Sequence, residues 1–284
     1  MKKPIIISIV NKKGGVSKTT TAINFSYSLT LPEFGKKNVL LVDLDSQCNA
    51  STGLGFPKEK IDKLQEEREG IYRILTEKLP LAYGIYETNF PRLDLVPAMP
   101  LLVKAKQELL SQFDSTTRLK KAIDSCKDIL AKDYDFIVID CSPALELLEF
   151  NALMASDYVI IPVFSDEFSF DGIMPVLNAI RDVQEVNTEL QILGILFTRI
   201  DVRSKAIEGY REAYKAIDPD KVFTTFIDQN IDVVKALEQH QPVHVYNPLA
   251  RASQKYIEFA HEVMLKIDPN HSPNFDSLNE ERVN

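Results

Sequence analysis

A chain of 284 residues, 45% hydrophobic and 26% charged, can bury a sizeable core and has an ordinary globular balance. Its net charge of −8 excludes a surface that grips nucleic acid all over and confines any such contact to a local basic face. Cys48, Cys126 and Cys141 lie far apart with no CxxC spacing, which suggests neither a disulfide framework nor a zinc site and fits a reducing cytoplasm.

The chain opens on "IIISIV" (5–10), which runs straight into "NKKGG" without a small-residue cleavage site. That reads as a buried first strand and not as a signal peptide, and no later apolar run is long enough to span a bilayer. A helix is expected from near Lys18 to about Leu31, where Pro32 stops it. Further strands are expected at 38–43 ("NVLLVD"), 93–98 ("LDLVPA"), 135–140 ("DFIVID"), 158–164 ("YVIIPVF"), 191–200 ("QILGILFTRI") and 221–227 ("KVFTTFI"). The charge-rich stretch 57–70 reads as a solvated helix or loop. Leu119, Ala122, Ile123, Cys126, Ile129 and Leu130 share one helical stripe, which makes Cys126 core filler. Tyr256, Phe259, Ala260, Val263, Met264 and Ile267 mark a last amphipathic helix, followed by a polar tail, 268–284, expected to be mobile.

β-branched runs alternating with helical patterns predict an α/β fold: a doubly wound, mostly parallel sheet with helices on both faces, in one domain over 1–267. The stretch between the first strand and helix, "NKKGGVSKTT" (11–20), has the context of a phosphate loop. Gly14 and Gly15 let the backbone approach phosphate oxygens without a Cβ in the way. Lys18 would reach the β- and γ-phosphates and the Thr19 hydroxyl would be a Mg²⁺ ligand, with Lys13, Gly14, Gly15, Val16, Ser17, Lys18, Thr19 and Thr20 forming the nucleotide cradle. The plain pattern GxxxxGK[ST] nevertheless fails, because its two glycines fall on Lys12 and Ser17.

The loop instead resembles the deviant Walker A motif, xKGGxGK[ST], of the ParA/MinD/nitrogenase-iron-protein ATPases. The resemblance implies that Lys13 reaches across a nucleotide-sandwiched homodimer to the partner's phosphates, where a second cation placed in advance is worth about a hundredfold or more in rate. Ser17 departs from the family's glycine and would cost on the order of 1 kcal/mol if that position needs a positive φ. "VLLVDLDSQCNASTGLG" (39–55) resembles the family's second-strand motif, with Ser46 and Cys48 replacing its proline and glycine. On that resemblance Asp45 polarises or positions the attacking water. "YDFIVIDCSPAL" (134–145) resembles the Walker B strand, which gives Asp140 a hold on Mg²⁺, usually through water; Cys141 beside it is packing, since hard Mg²⁺ prefers oxygen.

The likeness continues to about Ile267 and implies a ParA/Soj-type partition ATPase that uses ATP and Mg²⁺. Such proteins dimerise with ATP, bind DNA nonspecifically, and answer to a ParB-like partner, in the cytoplasm and on the nucleoid. Arg203 matches a DNA-contacting arginine, and Arg199 and Lys205 would extend the patch. The family's further basic segment, PRN.R, reads "DQNID" at 228–232, so DNA binding rests on resemblance more than on charge. Two alternatives stay open: an ATP-binding dimeric scaffold with little turnover, and a MinD-like positioning ATPase. Membrane binding is disfavoured by the mixed charge of Lys255, Glu258, Glu262 and Lys266 on the last helix.

Overall fold

The computed structural model describes residues 3–144, 146–164, 170–201, 209, 212 and 219–271. Six of the seven expected strands form, each a residue or two shorter than its apolar run or matching it: β1 (Ile5–Ile9), β2 (Val39–Asp43), β4 (Leu93–Val96), β5 (Phe136–Asp140), β6 (Tyr158–Phe164) and β7 (Gln191–Thr198). A short β3 (Tyr86–Glu87), which no periodicity announces, pairs antiparallel with β4 at one edge. All other pairings are parallel and the order is β3-β4-β2-β5-β1-β6-β7. The central strands β2 and β5 are buried at every residue, because helices cover the sheet on both sides.

The helices are α1 (Lys18–Leu29), α2 (Asn49–Gly53), α3 (Lys58–Glu67), α4 (Gly70–Glu77), α5 (Leu102–Leu109), α6 (Arg118–Asp124), α7 (Lys127–Asp133), α8 (Leu147–Ala155), α9 (Phe170–Gln184), α10 (Ile231–Glu238), α11 (Val243–Tyr246) and α12 (Arg251–Ile267). On one face α1 packs on β1, β2 and β5 and against α12; on the other α8 lies over β1 between α6 and α9. Phe25 of α1 meets Phe259 of α12 at 5.5 Å between ring centroids, which locks the first helix to the last. Among the described residues no helix is long and apolar enough to cross a membrane.

Three expectations need correction. The run 221–227 is not a strand: only single bridges form, Val222 with Ile195 and Asp228 with Ile200. Phe223 and Ile227 do donate their N–H groups to Ile195 and Phe197. Between them, however, the N–H groups of Thr224 and Thr225 turn to the Glu262 carboxylate at 2.5 and 2.8 Å, so a side chain replaces the ladder. The single stripe at 119–130 is also broken. The Ser125 hydroxyl bonds the Ala122 carbonyl at the end of α6 and a new helix starts after Cys126, which leaves Ile129 53% exposed while Leu130 points inward. The helix expected to reach Leu31 stops at Leu29, with Thr30 as its C-cap and Pro32 opening a short 3₁₀ turn. The tail beyond 271, with its expected mobility, lies outside the described residues.

Candidate nucleotide site

Strands β1, β2, β5 and β7 end on the same edge of the sheet, and their following loops enclose one open cleft of 470 Å³. β1 stands where the chain, having built one half of the sheet, returns to build the other; such a switch point leaves a crevice outside the carboxyl ends of the strands. The loop after β1 is anchored on its outer side. Val10 N–H bonds the Ile160 carbonyl at 3.1 Å, and Asn11 Nδ2 donates to the Pro162 carbonyl at 2.6 Å. Asn11 Oδ1 in turn accepts the Lys13 N–H at 3.1 Å. Val16 is buried and is not among the residues that line the cleft.

Gly15 has φ 78° and Ser17 φ 63°, so the loop turns through two left-handed residues before α1 begins. The positive φ supposed for Ser17 is therefore real, and its hydroxyl makes no capping bond in return. The first N–H groups of α1, uncapped by any side chain, are left for an anion. Lys18, 6% exposed, stands at the foot of this cradle and donates to the Lys13 carbonyl at 2.7 Å. Burial lowers its pKa, with Asp140 and Asp45 acting against that. Lys13 is exposed and is not among the residues that line the cleft.

The two second-strand carboxylates have different duties. Asp43 is fully buried and accepts bonds from Asp45 N–H (3.0 Å), Ser51 N–H (2.9 Å) and Ser51 Oγ (2.7 Å), so it shapes the loop that carries Asp45. Burial pushes its pKa up to about 6 in spite of those bonds. Asp45 lines the cleft and accepts the Gln47 N–H at 3.0 Å. Cys48, where the related motif has glycine, has φ 57°, so both glycine replacements fall on left-handed backbone beside the site.

Asp140 pairs with Ile9 of β1 and Asp43 of β2 at the sheet edge. It is 0% exposed, and the Thr19 hydroxyl is its hydrogen-bonding neighbour. Burial and the neighbouring Asp43 push its pKa well above the carboxylate range, while the Thr19 hydroxyl and Lys18 pull it down. An anionic carboxylate with so little hydrogen bonding at this depth is costly unless a cation or water completes it. Cys141 is fully buried with its thiol pushed well up, which fits packing.

The structure thus gathers Gly14, Gly15, Ser17, Lys18, Thr19, Thr20 and Asp45 on one cleft, with Asp140 behind Lys18. Arg199 is not on a separate basic face: its Nη1 donates to the Gly15 carbonyl at 3.1 Å and it lines the same cleft. Arg203 and Lys205 lie outside the described residues. Sequence reasoning missed the far wall, made by Ile227, Asn230 and the α10 residues Val233, Val234 and Leu237. Its only advance signal was the exposed apolar spacing of α10, which looks like any surface helix.

A mostly parallel sheet in this order, with a glycine-lysine loop joining its central strand to a helix, defines a P-loop nucleoside-triphosphatase fold of the deviant lysine-bearing type. The family described as an AAA domain matches residues 4–192. Sporulation initiation inhibitor protein Soj of Bacillus subtilis is 38% identical over 259 residues, covering 91% of this chain and 97% of that protein. The chain belongs to the ParA/Soj family of partition ATPases.

Two solved structures have the same fold. A Borrelia burgdorferi protein named for plasmid partition, bound to AMPPNP, is 28% identical with a TM-score of 0.74, over 93% of this chain and 100% of that one. Cobyrinic acid a,c-diamide synthase of Mycobacterium smegmatis, with ADP and magnesium, is 26% identical with a TM-score of 0.77, over 95% and 98%. The second is a different enzyme, so the fold does not by itself assign the reaction.

Proposed function

We propose that this protein is an ATP-hydrolysing partition ATPase that pairs around nucleotide, holds DNA without sequence preference while ATP is bound, and is released by a ParB-like partner that stimulates an otherwise slow turnover. The observation that carries the reading is the meeting, in one cleft, of an uncapped lysine-bearing phosphate loop and Asp45, with a fully buried Asp140 carboxyl behind Lys18 and beside the Thr19 hydroxyl. ATP fits the cradle, as AMPPNP is held by the Borrelia relative. The open apolar wall of Val233, Val234 and Leu237 suits a base and ribose.

In this reading the loop N–H groups of 14–20 take phosphate oxygens, and Lys18 leaves the Lys13 carbonyl to pair with the β- and γ-phosphates. Thr19 and, through water, Asp140 would hold Mg²⁺, which supplies neutralisation of the β- and γ-phosphate charge when bound. Among the described residues no three His, Cys, Asp or Glu converge as a metal cage. That suits a hard ion taking its remaining oxygens from phosphate and water. Asp45, its Oδ1 fixed by Gln47 N–H, orients the attacking water. Lys13 of the second protomer completes the charge around the transferring phosphoryl group, which ties hydrolysis to pairing. Arg203 and Lys205 are the proposed DNA contacts; Arg199 belongs with the nucleotide.

A mobility shift on unrelated duplex DNA, with and without Mg²⁺-ATP, tests the switch together with steady-state hydrolysis. Nucleotide-dependent retardation, lost in Arg203→Ala, and hydrolysis lost in Asp45→Ala are expected. Equal DNA affinity with and without nucleotide would contradict the reading. A nucleotide-bound scaffold of little turnover is the second reading, favoured by the left-handed Ser17 and Cys48 where the related motifs have glycine. Tight ATP binding with hydrolysis near background in wild type would support it.

A further inference from the structure

β7 ends with Thr198 and Arg199, and both side chains fold back onto the phosphate loop. The buried Thr198 hydroxyl lies 3.2 Å from the Val16 carbonyl and shares its proton between that and Val163 of β6 at the same distance. The Arg199 guanidinium donates Nη1–H to the next carbonyl along, Gly15, at 3.1 Å, and stacks on the Phe164 ring with 4.6 Å to its centroid. Arg199 itself has φ 53°, a conformation an arginine holds only when its surroundings impose it. An alternative without this contact would let Arg199 extend into solvent with relaxed backbone.

A peptide carbonyl held outward forces the following N–H inward. With the Gly15 and Val16 carbonyls held by the β7 side chains, the N–H groups of Val16 and Ser17 face the opposite way, and Ser17 lines the cleft where phosphate oxygens would sit. One guanidinium N–H is engaged with Gly15, and the exposed Arg199 lines the same cleft with donors to spare. We propose that the Thr198–Arg199 step is a clamp that sets the phosphate loop in its anion-binding form, with Arg199 adding a cation on the nucleotide side of the loop besides Lys13 and Lys18. This rests on the nucleotide reading above and assigns Arg199 to it as a positioning residue.

The test is Mg²⁺-ADP affinity by calorimetry, with the melting temperature of nucleotide-free protein, for wild type, Arg199→Gly, Arg199→Lys and Thr198→Val. Arg199→Gly relieves the left-handed backbone, so its melting temperature should hold or rise while ADP affinity falls roughly tenfold. Arg199→Lys keeps the charge and one donor and should recover affinity to within about threefold of wild type. Thr198→Val removes the hydroxyl at constant shape and should weaken ADP severalfold. Affinity within about twofold of wild type in both Arg199→Gly and Thr198→Val overturns the clamp, as does a loss that Arg199→Lys does not repair. A wild-type protein that binds no adenine nucleotide would sink the nucleotide reading and the clamp with it.

Discussion

Replacing Ser17 by glycine isolates what the departure in the phosphate loop costs. Ser17 sits at φ 63° and ψ 29°, and its side chain makes no capping bond. An L-residue there costs about 1–2 kcal/mol relative to right-handed backbone, and glycine pays almost none of it. Glycine's freer unfolded chain returns roughly 0.5–1 kcal/mol of that gain. The net expectation for Ser17→Gly is a stabilisation of about 0.5–1 kcal/mol, which in a domain of this size raises the melting temperature by roughly 1–3 °C. Scanning calorimetry on nucleotide-free protein reads it directly. Because the loop N–H is kept, ATP affinity should not fall, and the steady-state rate shows whether the serine also restrains turnover. A melting temperature unchanged or lowered would refute the assignment of backbone strain to this residue. A rise accompanied by a large acceleration would favour the scaffold reading of the native chain.

Asp140→Asn replaces a buried carboxyl that is held protonated without the ion, so it should leave the melting temperature of nucleotide-free protein nearly unchanged, and it should remove the gain in ADP affinity that Mg²⁺ brings, measured by paired calorimetric titrations with and without the ion. The pH dependence follows from the same edge of the sheet. Asp43 has its folded pKa raised to about 6, above an unfolded value of about 3.9, so the folded state holds the extra proton. Stability is therefore fully present below the unfolded value and falls as pH rises toward about 6, by at most about 1.4 kcal/mol per pH unit for one proton. Nucleotide-free protein should therefore melt lower at pH 7.5 than at pH 5.5. Gly194→Ala places a Cβ 2.8 Å from the Phe223 ring and should cost about 1–3 kcal/mol in a thermal melt.

The sheet was legible because its strands are buried on both faces and so read as short β-branched runs; "FIVID" and "YVIIPVF" announce β5 and β6 almost to the residue. The same signal misread 221–227. Phe223 packs under Gly194 and against Phe259, at 4.9 Å between centroids, and Glu262 takes the intervening N–H groups. Burial there comes from a tertiary partner that local pattern does not contain. Helix 119–130 failed for the opposite reason: a side-chain bond at Ser125 ended a pattern that continued in sequence.

At the site, the context of the phosphate loop, a β-branched run before it and a helix after it, was visible in the sequence, whereas Asp45 and Asp140 were singled out only through resemblance to the family's motifs. The apolar wall of α10 was not, since it depends on how the chain after β7 returns across the cleft. Arg199 was read as part of a DNA patch because its charge is visible in sequence, whereas its contact with Gly15 is visible only in three dimensions.

The coupling of pairing to nucleotide is tested most directly by light scattering on size-exclusion peaks, comparing wild type and Lys13→Ala in Mg²⁺ with a slowly hydrolysed ATP analogue. Wild type should run as a dimer with the analogue and as a monomer without nucleotide. Lys13→Ala should bind the analogue and stay monomeric. A wild-type chain that remains single at saturating analogue, or a Lys13→Ala chain that pairs as well as wild type, would contradict the account.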